Sequence, residues 1–266
     1  MDLEHSTRVA CDTAVEAGQA ILDVYLDEDL GLVLKDDASP LTRADIASHE
    51  IIEKALISAF PEIPLLSEES VEIAWKERKH WARYWLIDPL DGTREFIRRN
   101  GEFTVNIALV EKGVPVIGVV FAPVLDRLYW GNDSGAWCRN GAEMPRTIQV
   151  ARDSWPGQPL RVVASRSHGS KELEVYLGTL PSHECIPMGS SLKICLVAEG
   201  EAHLYPRLGP TMEWDTAAAD AVVRAAGGKL TTLGREELIY NKKDLRNPFF
   251  LAHNCCLGDR IYPSSV

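Results

Sequence analysis

Two aspartates flank a short turn that directly follows an apolar run. Asp88 and Asp91 are separated by Pro89 and Leu90, and the run before them is Trp85-Leu86-Ile87. Because proline fixes its own φ, the two carboxylates are held at a set separation. With the carbonyl of Leu90 they offer hard oxygens, the donors that Mg²⁺ takes together with water and phosphate. The string therefore predicts a magnesium site at the end of a strand, where α/β proteins place ligands.

Gly92 and Thr93 extend this pattern toward phosphate binding. Gly92 allows close approach of the backbone, and Thr93 begins a predicted helix whose first N–H groups can face a phosphate. The alternative is a capped turn without a ligand, in which Asp91 or Thr93 is the N-cap. A motif this short does not decide between the two by itself.

Three further acidic positions are ambiguous when each is taken alone. Glu68-Glu69 follows the apolar pair Leu65-Leu66, Asp215 follows Glu213-Trp214, and Asp45 lies near the start of a predicted helix. Paired acids are more often a solvated loop than a site. An aspartate at a helix start is more often a cap or a partner of the helix dipole.

The predicted elements put these acids at strand ends and helix starts. Apolar periodicity predicts helices over 9–25, 45–60, 190–199 and 215–226, and β-rich runs predict strands over 85–87, 103–110, 114–121, 128–130, 136–139, 160–164 and 202–205. This order predicts an α+β lobe over residues 1–153 joined to an α/β lobe over 154–266, with the active site between them. The boundary is placed at the Pro/Gly-rich segment 154–159.

Composition and charge exclude several classes of protein. Of 266 residues, 45% are hydrophobic, and 28 Lys and Arg face 39 Asp and Glu, which leaves a net charge of −11. That balance argues against a nucleic-acid polymer or an anionic membrane as partner. It leaves room for a small anionic substrate, since a local cluster of cations or metal ions can reverse the sign inside one cleft. No apolar run approaches the ~18 residues of a membrane span, and no signal peptide is visible.

The cysteines indicate a reducing compartment. None of them forms a C-x-x-C pair, and they are too few and scattered for a disulfide scaffold. They are Cys11, Cys138, Cys185, Cys195, Cys255 and Cys256. We therefore predict free thiols and a cytoplasmic location. The sequence leaves open the oligomeric state and any peripheral contact with the inner membrane.

In combination, these motifs resemble the inositol monophosphatase superfamily of Mg²⁺-dependent, lithium-sensitive phosphatases. The two signatures of that family correspond to residues 85–93 and 213–218, and its acidic metal loop corresponds to residues 66–70. Their order and separation match over nearly the whole chain. The resemblance implies a layered αβαβα sandwich of the inositol monophosphatase and fructose-bisphosphatase type. It also implies two or three Mg²⁺ ions.

The resemblance further implies a role for each acid. The metal ligands would be Glu68, Asp88, the Leu90 carbonyl, Asp91 and Asp215. One ion would bind and acidify the attacking water, which makes Glu68 part of the catalytic set, and a second would bind the phosphate and stabilise the leaving oxygen. Thr93 and Asp45 would orient and deprotonate that water. The protein itself supplies no nucleophile.

The residues after the first signature resemble one branch of the family, the bacterial 3′(2′),5′-bisphosphate nucleotidases of the CysQ type. Inositol monophosphatases usually carry Thr-Asn-Phe after the signature threonine, whereas this chain has Arg94-Glu95-Phe96. Segments 164–168, 189–193 and 205–207 also resemble that branch. The resemblance implies hydrolysis of adenosine 3′,5′-bisphosphate to AMP and phosphate, in sulfur assimilation and nucleotide recycling.

A substrate with two phosphates needs a second anion site away from the metals. Arg166, Lys193 and Arg207, with the helix start at Ser190-Ser191, are candidates for it. Each cation alone is as readily an ordinary surface charge. The predicted substrate contacts are Glu68, Leu90, Asp91, Gly92, Thr93, Arg166, Ser190, Ser191, Lys193, Arg207 and Asp215.

Three other functions stay open at this point. An inositol or other sugar monophosphatase would use the same metals. A non-catalytic nucleotide sensor could have lost Asp45 or Thr93, yet both are present. A Ca²⁺-stabilised structural domain would leave the candidate cationic site unexplained.

Overall fold

A computed structural model describes residues 2–35, 40–70, 73–152, 158–165 and 170–262. Its helices are α1 (Leu3–Tyr25), α2 (Arg43–Ala59), α3 (Trp75–Arg78), α4 (Thr93–Ile97), α5 (Lys171–Thr179), α6 (Leu192–Ala198) and α7 (Ala217–Ala225), with a 3₁₀ turn at Gly258–Ile261. Its strands are β1 (Val33–Leu34), β2 (Pro40–Leu41), β3 (Leu65–Ser67), β4 (Arg83–Asp91), β5 (Thr104–Glu111), β6 (Val114–Ala122), β7 (Arg127–Asn132), β8 (Gly135–Asn140), β9 (Arg146–Thr147), β10 (Leu160–Ser165), β11 (His183–Met188), β12 (Leu204–Arg207), β13 (Gly228–Thr232) and β14 (Phe250–Asn254).

Two large sheets organise the chain. A seven-stranded sheet has the order β3-β4-β5-β6-β7-β8-β9, with β3 parallel to β4 and the remaining neighbours antiparallel. A five-stranded sheet has the order β11-β10-β12-β14-β13, in which β10 runs parallel to both of its neighbours. The short strands β1 and β2 pair with each other.

The seven-stranded sheet is covered by helices on both faces, which explains why β5 is apolar almost throughout. Its side chains alternate, so Val105 and Ile107 join the core under α1 and α2. Ala108 and Val110 point to the opposite face and join the core that includes α6 and α7. A third core lies between the five-stranded sheet, α5 and the 3₁₀ turn. The result is the layered αβαβα sandwich that the family resemblance implies.

Helix α7 lies unusually close to the seven-stranded sheet. A Cβ on Gly118 would lie 2.0 Å from the carbonyl oxygen of Ala218, and one on Gly131 would lie 2.8 Å from Cα of Val222. Small residues on both partners allow this approach. The contact fixes the helix that follows Asp215, and so fixes that acid against the sheet that carries Asp88.

The structure corrects one prediction and leaves another open. The strand predicted to end at Ile87 continues to Asp91 as β4, with a pairing irregularity between Asp88 and Asp91 in place of a free turn. The predicted joint at 154–159 falls largely outside the described residues, so the division into lobes at 153/154 stays a prediction. The six cysteines are free. Within the described ranges, no helix has the length and apolar character needed to cross a bilayer.

Candidate active site

Three of the predicted acidic ligands meet at one edge of the seven-stranded sheet. The side chains of Glu68, Asp88 and Asp215 each place a carboxylate oxygen within 4.8 Å of the others. Strands β3 and β4 are parallel, with Ser67 opposite Ile87, so the residues that follow each strand emerge side by side. Asp215 arrives from the far part of the chain, just before α7.

A bulge in β4 presents Asp88 and Asp91 on the same side. Asp88 pairs with Asn106 and Asp91 pairs with Thr104. Between these two pairs β4 has one residue more than β5, which is a β-bulge. The buried hydroxyl of Ser48 on α2 donates to the Pro89 carbonyl at 2.7 Å and supports the bulge from behind.

Gly92 ends the strand in a backbone conformation that favours glycine. Its φ is +95°, and a Cβ there would lie 3.3 Å from the carbonyl oxygen of Glu102. Helix α4 then begins at Thr93, as the sequence predicts. Gly92 thus turns the chain sharply enough to bring Thr93 beside the acids.

The electrostatics of the cluster favour the binding of a cation. Burial, reinforced by the neighbouring carboxylates, raises the pKa of Asp88 and of Asp215 well above the usual range. Burial also raises the pKa of Glu68 to about 7, although the ammonium of Lys35 opposes the shift. Each raised pKa means that the surroundings do not fully compensate the negative charge of that carboxylate. A divalent cation with a preference for oxygen ligands would supply that compensation.

Asp91 is held by the predicted phosphate contacts themselves. The hydroxyl of Ser190 and the backbone N–H of Ser191 both donate to its Oδ2 at 2.6 Å. The hydroxyl of Thr104 contacts both serines, and the hydroxyl of Ser191 also donates to the side-chain oxygen of Asn106. In this structure the two serines therefore orient a carboxylate, and their contact with substrate stays a prediction.

One carboxylate oxygen of Asp45 caps a helix, and the other faces Thr93. Its Oδ2 accepts from the N–H and the hydroxyl of Thr42, at 2.7 and 2.6 Å, and completes the capping box at the start of α2. Its Oδ1 lies 3.4 Å from the hydroxyl of Thr93, which is also 3.4 Å from the Leu90 carbonyl. Burial raises the pKa of Asp45 to about 6, against the hydrogen bonds of Thr42. The helix-start role of Asp45 is therefore confirmed, and its role as the base stays a prediction.

One cavity of about 970 Å³ joins these groups. Its lining includes Glu68, Asp88, Leu90, Asp91, Gly92, Thr93, Arg94, Tyr205, Arg207, Arg246 and Asp215. The volume far exceeds that of a single phosphate, so the site has room for a substrate of nucleotide size. Tyr205 belongs to the segment 205–207 that resembles the nucleotidase branch, whereas no sequence motif indicated Arg246.

Two of the candidate cations line a smaller cavity together with Asp91 and Asp215. This second cavity of about 140 Å³ is lined by Ser190, Ser191, Lys193 and Arg207. Lys193 is buried, with its Nζ 5.6 Å from the centre of the Tyr205 ring, and burial lowers its pKa to about 8. Arg207 donates from Nη2 to the Pro210 carbonyl at 2.8 Å. The third candidate, Arg166, lies outside the described residues.

Lys35 is a site residue that sequence reasoning missed. Its ammonium contacts Glu68 at 3.1 Å and Glu69 at 2.6 Å. In the sequence, Lys35 is separated from Glu68 and Glu69 by 33 and 34 positions. No local motif predicts a contact over such a separation. Lys35 supplies part of the positive charge that the acidic cluster requires in this structure.

Comparison with known proteins points in the same direction as the geometry. The model of the inositol monophosphatase family matches residues 2–254. A 3′(2′),5′-bisphosphate nucleotidase CysQ of Salmonella typhimurium is 51% identical over 242 residues, which are 90% of this chain and 96% of that protein.

Solved structures show the same likeness. CysQ from Bacteroides thetaiotaomicron superposes with a TM-score of 0.83 at 42% identity, covering 94% of this chain and 97% of that one. An inositol monophosphatase from Anabaena superposes with a TM-score of 0.77 at 26% identity, covering 98% and 95%. The fold is thus common to both branches considered above.

Proposed function

The chain belongs to the inositol monophosphatase family, and we propose that it is a metal-dependent 3′(2′),5′-bisphosphate nucleotidase that converts adenosine 3′,5′-bisphosphate to AMP and phosphate. The observation that carries the proposal is one cavity with an acidic cluster at one side and Arg207 at another. The CysQ relatives support the choice of branch.

We assign the acidic cluster to Mg²⁺, with two or three ions. Glu68, Asp88, the Leu90 carbonyl, Asp91 and Asp215 would hold them. Glu68, Asp88 and Asp215 lie at a spacing that suits such ions, and burial together with the neighbouring carboxylates raises the pKa of Asp88 and of Asp215. When bound, Mg²⁺ supplies charge neutralisation at the phosphate and makes water a better nucleophile.

The chain's own residues orient the nucleophile and accept its proton. The Thr93 hydroxyl faces Oδ1 of Asp45, so it can donate to that carboxylate while its lone pairs accept from a water in the cavity. Asp45 is deprotonated in most molecules near pH 7, since its pKa is about 6, and it can take up a proton. A base with a pKa in this range suits proton transfer near neutral pH.

Phosphate release decides between the two branches. Adenosine 3′,5′-bisphosphate and inositol 1-phosphate should be compared at equal concentration, with Mg²⁺ and with EDTA. We expect Mg²⁺-dependent release that strongly favours the bisphosphate. Preference for inositol 1-phosphate would assign the chain to the sugar monophosphatases instead, and binding without turnover would indicate a sensor. The cytoplasmic location inferred from the cysteines stays a prediction.

Lithium should inhibit the reaction. Li⁺ is a small hard cation that fits an oxygen-lined site but carries half the charge of Mg²⁺, so it neutralises the leaving oxygen and the released phosphate less well. We expect millimolar LiCl to lower turnover at fixed Mg²⁺, measured as phosphate release. KCl at the same ionic strength is the control, and equal rates in the two salts would argue against this site chemistry.

Selectivity for the bisphosphate should depend on the cations beside the cluster. A charge-assisted hydrogen bond is worth ~1.5–3 kcal/mol, so losing the true contact should lower kcat/KM for adenosine 3′,5′-bisphosphate by roughly tenfold or more. We expect this from Lys193→Met or Arg207→Ala, with Arg166→Ala as the third variant to assay. Methionine keeps most of the buried volume of Lys193.

A monophosphate substrate is the matched control for these variants. Inositol 1-phosphate never reaches a distal anion site, so its kcat/KM should change much less. Equal losses on both substrates, or no loss from any variant, would place selectivity elsewhere in the cavity.

A further inference from the structure

Residues 241–247, which we call the strap, run beside the loop that carries Asp215. The N–H of Glu213 donates to the Leu245 carbonyl at 2.9 Å, and the N–H of Asn247 donates to the Thr211 carbonyl at 2.9 Å. Between these bonds, Met212 and Arg246 form an antiparallel bridge. Residues 211–213 of this loop are therefore paired with residues 245–247 of the strap.

The buried side chain of Glu213 holds the first residues of the strap in place. Its carboxylate is completely buried and accepts from the N–H of Asn241 at 2.6 Å and from the N–H of Lys242 at 2.9 Å. The ammonium of Lys242 adds a contact at 2.6 Å. A buried acid with three donors holds its partners firmly, because leaving any of them unpaired is costly.

Arg78 holds the same residues from the other side. Its guanidinium donates to the side-chain oxygen of Asn241 at 2.9 Å and to the carbonyls of Lys242 and Lys243 at 2.6 and 2.8 Å. The side-chain amide of Asn241 returns a bond to the Arg78 carbonyl at 2.7 Å. Arg78 is 3% exposed and ends α3, shortly before the strand that carries Asp88.

The last links reach the carboxylate itself. The Asn247 side-chain amide donates to the Met212 carbonyl at 2.7 Å, and the N–H of Met212 donates to Oδ2 of Asp215 at 2.9 Å. Hydrogen bonds at both ends of the strap, joined by the covalent chain between them, thus connect Arg78 with the loop that carries Asp215. They bridge the chain segment that supplies Asp88 and the distant segment that supplies Asp215.

We propose that Arg78 is a positioning residue for the metal site, which sets Asp215 opposite Asp88 through the strap and Glu213. The inference rests on the proposed Mg²⁺ function of the cluster. Mg²⁺ demands near-ideal geometry at about 2.0–2.1 Å, so a small displacement of one carboxylate weakens its binding. Outer contacts of metal ligands typically contribute 10–100-fold in affinity.

Direct titration with MgCl₂ tests this without relying on activity. We expect Arg78→Gln to weaken Mg²⁺ binding, measured by calorimetry, by several-fold, which is less than the loss of a direct contact to a metal ligand would cause. The Mg²⁺ affinity of Arg78→Lys should lie between those of the wild type and Arg78→Gln, because lysine reaches the carbonyls but lacks the planar guanidinium. Glu213→Gln, which keeps the shape of the buried side chain, should weaken binding in the same direction and serves if Arg78→Gln does not fold.

Arg127→Gln is the matched control. Arg127 pairs with the buried Glu199 at 2.8 Å, so its loss removes a comparable arginine contact away from the strap. All titrations are run below the melting temperature of each variant. We expect Arg127→Gln to lower that temperature while its Mg²⁺ affinity matches the wild type.

The outcomes separate this proposal from the function on which it rests. Unchanged Mg²⁺ affinity in folded Arg78→Gln or Glu213→Gln would overturn the positioning role and leave the nucleotidase function standing. Equal weakening in Arg127→Gln would likewise reduce Arg78 to a general stabilising residue. A wild-type chain that binds no Mg²⁺ would overturn both.

Discussion

Asp88→Asn is expected to abolish turnover while the fold stays intact. Asp88 is buried in the cluster, and its pKa is raised first by burial and then by the charges of Glu68, Asp91 and Asp215. Asparagine can still accept the N–H of Leu90, which lies 3.1 Å from Oδ1, but it removes one negative charge and one ligand oxygen. Metal assistance is worth several kcal/mol, so phosphate release at ordinary Mg²⁺ should fall by about a thousandfold or more.

The same substitution should stabilise the metal-free protein. Without an ion, Asp88 is a buried carboxyl among others of like charge, and the neutral amide relieves that repulsion. We expect the melting temperature in EDTA to rise and the stabilisation by added Mg²⁺ to shrink. Near-normal turnover in Asp88→Asn would contradict the metal assignment, whatever the melting temperature shows.

Asp45→Asn should lower kcat by about 10²–10⁴-fold, the usual contribution of a general base. The amide oxygen can keep the capping bonds to Thr42, so α2 should retain its start. The face toward Thr93 becomes an NH₂ group that cannot accept a proton. Phosphate release under saturating Mg²⁺ and substrate measures the effect.

Two measurements distinguish this loss from damage to the helix. The melting temperature of Asp45→Asn should stay close to that of the wild type, since the cap survives. Thr42→Ala loses a cap hydroxyl, which costs about 0.5–2 kcal/mol, and should lower the melting temperature more than Asp45→Asn does. A kcat of Asp45→Asn within a few-fold of the wild type would assign the proton transfer to another group.

Local sequence was a good guide where chemistry and backbone share a motif. The string from Asp88 to Thr93 predicts both the oxygen donors and the helix start, and the structure has α4 at Thr93. The hairpin of β5 and β6 follows from two β-rich runs around Glu111-Lys112-Gly113. The turn predicted after Ile87 was wrong, because pairing with β5 extends the strand through the bulge to Asp91.

Contacts over long sequence separations could not be predicted in the same way. Neither Lys35 nor Arg78 lies in a recognisable sequence motif. Each contacts its partners only because the tertiary fold brings distant segments together. The roles of Ser190 and Ser191 show the same limit. A helix start beside a glycine suggests a free anion site, whereas the sheet brings Asp91 within reach of both donors.

The capping box of α2 makes the position of Asp45, the base that we propose, depend on whether the first turn of that helix is closed. A single carboxyl at Asp45 closes the first turn with one oxygen and faces Thr93 with the other. Helix ends open far more often than whole domains unfold. Each time this turn opens, the carboxylate of Asp45 is no longer held facing Thr93. Inactivation on mild warming should therefore begin well below the melting temperature, in step with the hydrogen exchange of the amides at Thr42 and Ala44.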